Sequence, residues 1–273
     1  MAKVVVKIGG DVLENEARRQ GLLGNVLGLL NGGHQLIVVH GGGPQMNTLQ
    51  EALGRTPHKV GGRRVTSKED LVLVHQAICG EVNVALCSLL LDGGVPAFGC
   101  HGASGRLIGA VKRPPTVVSG GPSEPVDFGE VGDVADINGV VLEGLLKLQV
   151  VPVIATLGVE AGSGRTYNIN ADTTAVRVAQ AVGADALVLT TGIGAIFRDI
   201  HDPSSRIEEV TEAEARQLIV DGVIVGGMIP KVEEALEVLG KGVKSIAICD
   251  PQDRASFLTA LRGDAARGTR ILP

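Results

Sequence analysis

The sequence predicts an α/β fold, a three-layer αβα sandwich around one mainly parallel sheet. Three observations predict it. Short apolar runs at residues 4–8 and 36–39 each end in a glycine turn, Gly9-Gly10 and Gly41-Gly42-Gly43-Pro44, with a helical stretch over 15–30 between them. The rhythm recurs: 150–156 reads as a strand, 173–182 as a helix, 186–190 as a strand ending at Gly192, 231–239 as a helix and 245–248 as a late strand. Aromatic residues make up only 2% of the chain and Trp is absent. The core is therefore built from Val, Leu, Ile and Ala, which suits strands covered on both faces.

Two segments break this rhythm. Residues 57–65, with Gly61-Gly62, read as a hairpin or flap. Residues 112–133 hold Pro114-Pro115, Gly120-Gly121-Pro122 and Pro125, and read as irregular loop or short strands. Gly158 and Gly162-Ser163-Gly164 mark a lobe boundary near 157–165, giving lobes 1–158 and 159–273.

Bulk properties exclude several classes. The net charge of −5 over 273 residues argues against a nucleic-acid partner, whose usual footprint is a basic face. The acidic total still permits a locally positive site. Cys79, Cys87, Cys100 and Cys249 form no CxxC pair, so they read as structural thiols in a reducing, cytoplasmic setting. The first seven residues do not read as a signal peptide. No uninterrupted apolar run reaches about 18 residues, so no membrane span is expected.

Ligands of open α/β sheets bind at the carboxyl ends of the strands, where both glycine turns fall. Glycine admits close approach to backbone, and N–H groups at a helix start attract anions. Neither G-x-x-x-x-G-K-[ST] nor a G-x-G-x-x-G after the first strand is present, which disfavours P-loop ATPases and Rossmann dehydrogenases. Lys7 ends an apolar strand, where an ammonium is costly to bury unless it meets an anion. Lys231 follows Gly226-Gly227-Met228-Ile229-Pro230 and falls in the first turn of a helix, a place that favours acids. Asp172, in Asn168-Ile169-Asn170-Ala171-Asp172, either caps the next helix or stands as a carboxylate between the two lysines.

Taken together, Lys7-Ile8-Gly9-Gly10, His40-Gly41-Gly42-Gly43-Pro44, Arg64-Val65-Thr66, Asn168–Asp172 and Gly227-Met228-Ile229-Pro230-Lys231 resemble the acetylglutamate kinases of the amino acid kinase family. The resemblance covers nearly the whole chain. It implies the fold of that family in two lobes, the first binding an acylamino acid and the second ATP. It implies transfer of phosphoryl from ATP to the γ-carboxylate of N-acetyl-L-glutamate, in arginine biosynthesis. By motif, Lys7 and Lys231 stabilise the moving group, Asp172 orients both lysines, and Gly10 and Gly43 donate backbone N–H bonds. Gly42, Gly43, Arg64 and Asn168 bind the acylamino acid, and Lys59 stands where some members carry a flap lysine. Thr191, Gly192, Gly194, Gly226, Gly227 and Met228, with Lys231, fall in the nucleotide region. Mg²⁺ accompanies ATP through phosphates and water, with no dedicated protein cage.

Some positions depart from the resemblance. Leu189-Thr190-Thr191-Gly192 lacks an Asp that many members carry, and Arg63 replaces a commonly apolar residue. Lys7 lies only six residues from Met1, where arginine-inhibited hexameric members usually carry an extra N-terminal helix, so the resemblance implies a homodimer without that feedback. Two other readings stay open. One is a related kinase acting on carrier-linked aminoadipate, for which Arg55, Lys59, Arg63 and Arg64 would form a basic patch. The other is a non-catalytic sensor.

Overall fold

In the computed structural model the first apolar run forms the strand Lys3–Ile8, in the middle of an eight-stranded sheet. The structure describes residues 1–118, 120–226, 228–239, 241–262 and 268–273. Gln35–His40, Val151–Ala155 and Ala97–His101 lie on one side of that strand; Ala186–Thr190, Ser245–Cys249, Gly268–Leu272 and Glu209–Thr211 lie on the other. Every pairing is parallel except that between Ser245–Cys249 and Gly268–Leu272. The three-layer α/β expectation therefore holds.

Strand alternation sorts the core into the two faces. Val4, Val6 and Ile8 pack with Leu22, Val26, Leu86 and Phe257 from helices on one side. Val5 packs with Ala175, Val178, Val232 and Leu236 from helices on the other. These residues are essentially solvent-free, as strands covered on both faces must be. Lys7 shares the parity of Val5, so it projects toward the helices Ala171–Ala181 and Met228–Leu236.

Several elements differ from the sequence reading. The helix expected from residue 173 starts at Ala171, because Asn170 supplies the cap. The helix expected over 231–239 runs instead from Met228 to Leu236. A second, four-stranded sheet was not foreseen: Thr166–Asn168, Leu157–Glu160, Ile108–Lys112 and Gly132–Ile137, mostly antiparallel. Its strands are short and interrupted by polar residues, so they carry little apolar signal. The flap is a hairpin, Lys59–Val60 against Arg63–Arg64. Gly61 and Gly62 both take positive φ, 54° and 75°, as a two-residue hairpin turn of matching twist requires.

The run Lys68–Asp92 is long and apolar enough to cross a membrane by length and composition, a stretch the sequence reading passed over. It is continuous only as helix, with a π-helical segment His75–Val82 at its centre. Leu73, Val74, Ala77, Ile78, Val82, Leu86 and Leu90 bury one face of it in the protein. Ser67 and Asp70 close a capping box at its start.

Candidate active site

The parallel strands Lys3–Ile8, Gln35–His40 and Ala186–Thr190 all release the chain at the same sheet edge. Gly9-Gly10, Gly41-Gly42-Gly43 and Thr191–Gly194 therefore gather there. The first two turns touch. A Cβ on Gly10 would sit 2.9 Å from the Gly42 Cα and 2.2 Å from Gln45 Oε1. Space above Gly43 is open: apart from its chain neighbours and its own helix backbone, no atom lies within 4 Å of where its Cβ would stand. Gly43 opens the helix Gly43–Ala52, whose early N–H groups lack intrahelical partners.

Two lysines meet one carboxylate beside these turns. Lys7 Nζ lies 3.2 Å and Lys231 Nζ 2.8 Å from the same Asp172 Oδ1. Each lysine side chain is 12% exposed and that of Asp172 18%. Burial alone would raise the Asp172 carboxyl, but the two ammonium groups outweigh it and hold the group below its ordinary value. Burial lowers Lys231, with Asp172 opposing and Lys7 adding to the shift. The cluster carries one positive charge more than it neutralises, which equips it for an anion. Of the two readings of Asp172, the geometry is that of a carboxylate between lysines. Asn170 caps the helix instead, its Oδ1 accepting from the Asp172 and Thr173 N–H groups.

Arg64 is held by neutral groups. Its guanidinium donates to Gln50 Oε1, to Asn47 Oδ1 and, at 3.4 Å, to the Gly43 carbonyl. Burial lowers its pKa and Asp70 opposes the change. Amide partners fix the fork without cancelling its charge, which leaves it suited to a carboxylate ligand. Asn168 donates to Thr66 Oγ1 at 3.0 Å. Lys59 is exposed on the flap and outside the ion cluster. Of the four basic residues around the flap, Arg55 pairs with Asp70 at 3.5 Å, Arg64 turns onto the Gly43 helix, and Lys59 and Arg63 lie on the two strands of the hairpin.

Thr191 shapes the third turn. Its N–H bonds the Cys249 carbonyl at 3.0 Å, and its Oγ1 accepts from Gly194 N–H at 2.8 Å. The hydroxyl thus does a backbone-fixing task that a carboxylate would also do. Gly194 has φ 80°, and a Cβ there would meet the Asp250 backbone. Gly192 lies beside Arg18. Beyond this turn opens a cavity of about 540 Å³ lined by Ile193, Phe197, Ile200, Val223, Val225 and Met228, among others. Its size and mixed apolar wall suit a small organic ligand. Gly226, at φ 57°, leads toward it; Gly227 lies outside the described residues.

Sequence reasoning missed the supports of the site. Gln45 Nε2 donates to the Gly10 carbonyl at 2.9 Å and ties the two glycine turns together. Asn47 and Gln50, one turn apart on the Gly43 helix, were readable as a polar face only once Arg64 was known to reach it. His40 is fully buried. Asn83 Nδ2 donates to its Nε2 at 2.9 Å, which leaves Nδ1–H to donate to the Gly41 carbonyl at 2.8 Å. Burial pushes its pKa down to about 4. Between pH 6.5 and 4 the unfolded chain binds a proton that the folded chain refuses, so stability falls with acidification by up to about 3 kcal/mol. Urea midpoints at pH 7 and pH 5 should separate more for the parent than for His40→Gln. Equal separations would assign the acid loss to other groups.

The four cysteines are unpaired, with burial raising Cys79 to about 11 and Cys100 and Cys249 to about 12. Such thiols are poor nucleophiles, in line with a structural role.

A family model for the amino acid kinase family matches residues 2–250. The chain is 42% identical to an acetylglutamate kinase of Anaeromyxobacter sp. (strain Fw109-5), over 100% of both chains. It is 44% identical to an acetylglutamate kinase of Sorangium cellulosum (strain So ce56), over 99% of this chain and 94% of that one. Among solved structures, smu.665 from Streptococcus mutans UA159 superposes with a TM-score of 0.78 at 31% identity, covering 99% of this chain and 98% of that one. With the fold, the touching glycine turns and full-length likeness in agreement, the chain belongs to the amino acid kinase family.

Proposed function

We propose that the chain transfers the γ-phosphoryl group of ATP to the γ-carboxylate of N-acetyl-L-glutamate, giving N-acetyl-L-glutamyl 5-phosphate and ADP in arginine biosynthesis. The observation that carries this reading is the pair of buried lysines on Asp172 beside two glycine turns. A carboxylate oxygen attacks the γ-phosphorus, a P–O bond forms, and the bond to the β-phosphate oxygen breaks. No proton moves, so no general base is required. The chemical difficulty is bringing two anions together. Lys7 and Lys231 offset that repulsion, and the N–H groups of Gly10 and Gly43 take the equatorial oxygens. Asp172 holds both ammonium groups without touching substrate. Arg64, Gly42 and Asn168 hold the acylamino acid by its polar groups, with Lys59 closing from the flap.

Residues 1–158 serve as the acylamino-acid lobe and 159–273 as the ATP lobe. The cavity at Ile193 and Met228 takes the adenosine, with Thr191, Gly192, Gly194, Gly226 and Gly227 along the phosphates. Magnesium would accompany ATP through its phosphates and water, and the Asp172 Oδ1 is already engaged by two lysines. The chain pairs with a second copy. Val84 and Leu91 are exposed on the helix before the edge strand Ala97–His101, and Phe98 is exposed on that strand. An unpaired edge beside an apolar face favours strand-to-strand association. Four structural thiols agree with a cytoplasmic setting.

The test is ADP release with ATP, Mg²⁺ and one acceptor at a time: N-acetylglutamate, aspartate or carrier-linked aminoadipate. Turnover with N-acetylglutamate alone is expected. Turnover only with the carrier-linked acceptor would reassign the substrate, and none with any acceptor would leave a sensor.

A further inference from the structure

Lys231 and Glu234 lie one turn apart on the same face of the helix Met228–Leu236. Asp172 and Thr173 are neighbours at the start of the helix Ala171–Ala181. The two helices are joined at both pairs: Lys231 donates to Asp172 at 2.8 Å, and Thr173 Oγ1 donates to Glu234 Oε2 at 2.6 Å. Apolar packing through Val178, Val232 and Leu236 holds the two helices together, and the paired polar bonds fix the local rotation that sets where Lys231 points. The second bond is unusual because it is maintained against opposition. Burial raises the Glu234 carboxyl and the nearby Asp172 charge adds to that, while Thr173, Arg113 and Arg63 stabilise the anion. A carboxylate placed so near Asp172 adds nothing to the neutralisation of phosphate.

We propose that Glu234 is a positioning residue for phosphoryl transfer, its bond to Thr173 locking the Lys231 helix so that the Lys231 ammonium stays on Asp172 beside Lys7. The lysine stem has four rotatable bonds, and a small change in helix rotation carries its tip away from the reacting group. A displacement on the order of 1 Å is enough to cost about 10²-fold in rate. The inference rests on the kinase reading above.

The test uses the full-length chain, with kcat expressed per nucleotide-binding site titrated by a fluorescent ATP analogue. Partly unfolded protein is thereby removed from the comparison. Glu234→Ala should lower kcat by about tenfold or more and leave the KM for N-acetylglutamate within about twofold. Glu234→Gln, which keeps an acceptor for Thr173 and loses the charge, should restore kcat to within about threefold of the parent. Thr173→Val should match Glu234→Ala, Thr173→Ser should restore activity, and the Thr173→Val/Glu234→Ala double variant should be no worse than the poorer single. Should Glu234→Ala not fold, the two Thr173 variants decide the matter by themselves. An unchanged kcat in Glu234→Ala or Thr173→Val, a Glu234→Gln as slow as Glu234→Ala, or additive losses in the double variant would each overturn the proposal. Absence of turnover in the parent would instead bring down the kinase reading, and this inference with it.

Discussion

Asp172→Asn is expected to lower kcat by about 10²–10³-fold and to destabilise the fold by about 3–5 kcal/mol, the range for removing one member of a buried ionic group. The reason is geometric. Lys7 and Lys231 both reach one carboxylate oxygen, at 3.2 and 2.8 Å, and neither side chain is more than 12% exposed. An amide keeps an acceptor but not the charge, so two desolvated ammonium groups are left facing each other. One must lose its proton or swing away, and on the proposed kinase reading either response removes a cation from the transferring group. Lys7→Met separates the two effects. It removes one cation and leaves Asp172 paired with Lys231, so kcat should still fall by about 10²-fold or more while stability changes little. Stopped assays of ADP formation and urea unfolding read both quantities. A Lys7→Met variant with parental kcat would remove Lys7 from the phosphoryl site, and an Asp172→Asn variant with parental stability would show the cluster to be solvated.

The parts of this site that were legible in the sequence are those where local chemistry conflicts with local structure. Lys7 at the end of a buried strand and Lys231 in the first turn of a helix both cost something without an anion, and that cost is visible in one dimension. The glycine turns were legible for the same reason, since runs such as Gly41-Gly42-Gly43 weaken any regular element. What stayed hidden depends on three-dimensional proximity. Gln45, Asn47, Gln50 and Glu234 are ordinary helix residues. Nothing about their spacing says that Gln45 reaches Gly10 or that Glu234 reaches Thr173, 61 positions away. The cavity at Ile193 and Met228 was hidden similarly, because its walls come from two stretches about 30 residues apart in the chain, 193–200 and 222–228. The fold shows the same division. The buried parallel strands announced themselves as apolar runs. The second sheet did not, because its strands are short and half-solvated, such as the exposed-to-buried Gly132–Ile137. Asp172 marks the boundary between the two cases. Its two readings could be written down from the sequence, but only the position of Asn170 as the cap decides between them.

Gly10→Ala and Gly43→Ala should fail for different reasons, and the contrast tests whether a ligand occupies the space between the two turns. A methyl group on Gly10 meets the Gly42 backbone at 2.9 Å and the Gln45 amide oxygen at 2.2 Å. Backbone cannot yield as a flexible side chain can, so the two turns must separate. Gly10→Ala is therefore expected to lose stability by about 1–3 kcal/mol, the usual cost of overpacking, and activity with it. A methyl group on Gly43 meets no atom within 4 Å beyond its chain neighbours and its own helix backbone. Gly43 also opens a helix, where alanine is at least as well accommodated as glycine. Gly43→Ala should accordingly unfold at the same urea concentration as the parent, or slightly higher. On the proposed kinase reading its kcat/KM should nevertheless fall by about 10²-fold or more, because the new methyl group would stand where phosphoryl oxygens approach the N–H. A stable and fully active Gly43→Ala would mean that the open space above this turn is solvent. On the proposed reading, an anion reaching Lys7 and Lys231 would then have to enter from the Thr191–Gly194 side alone.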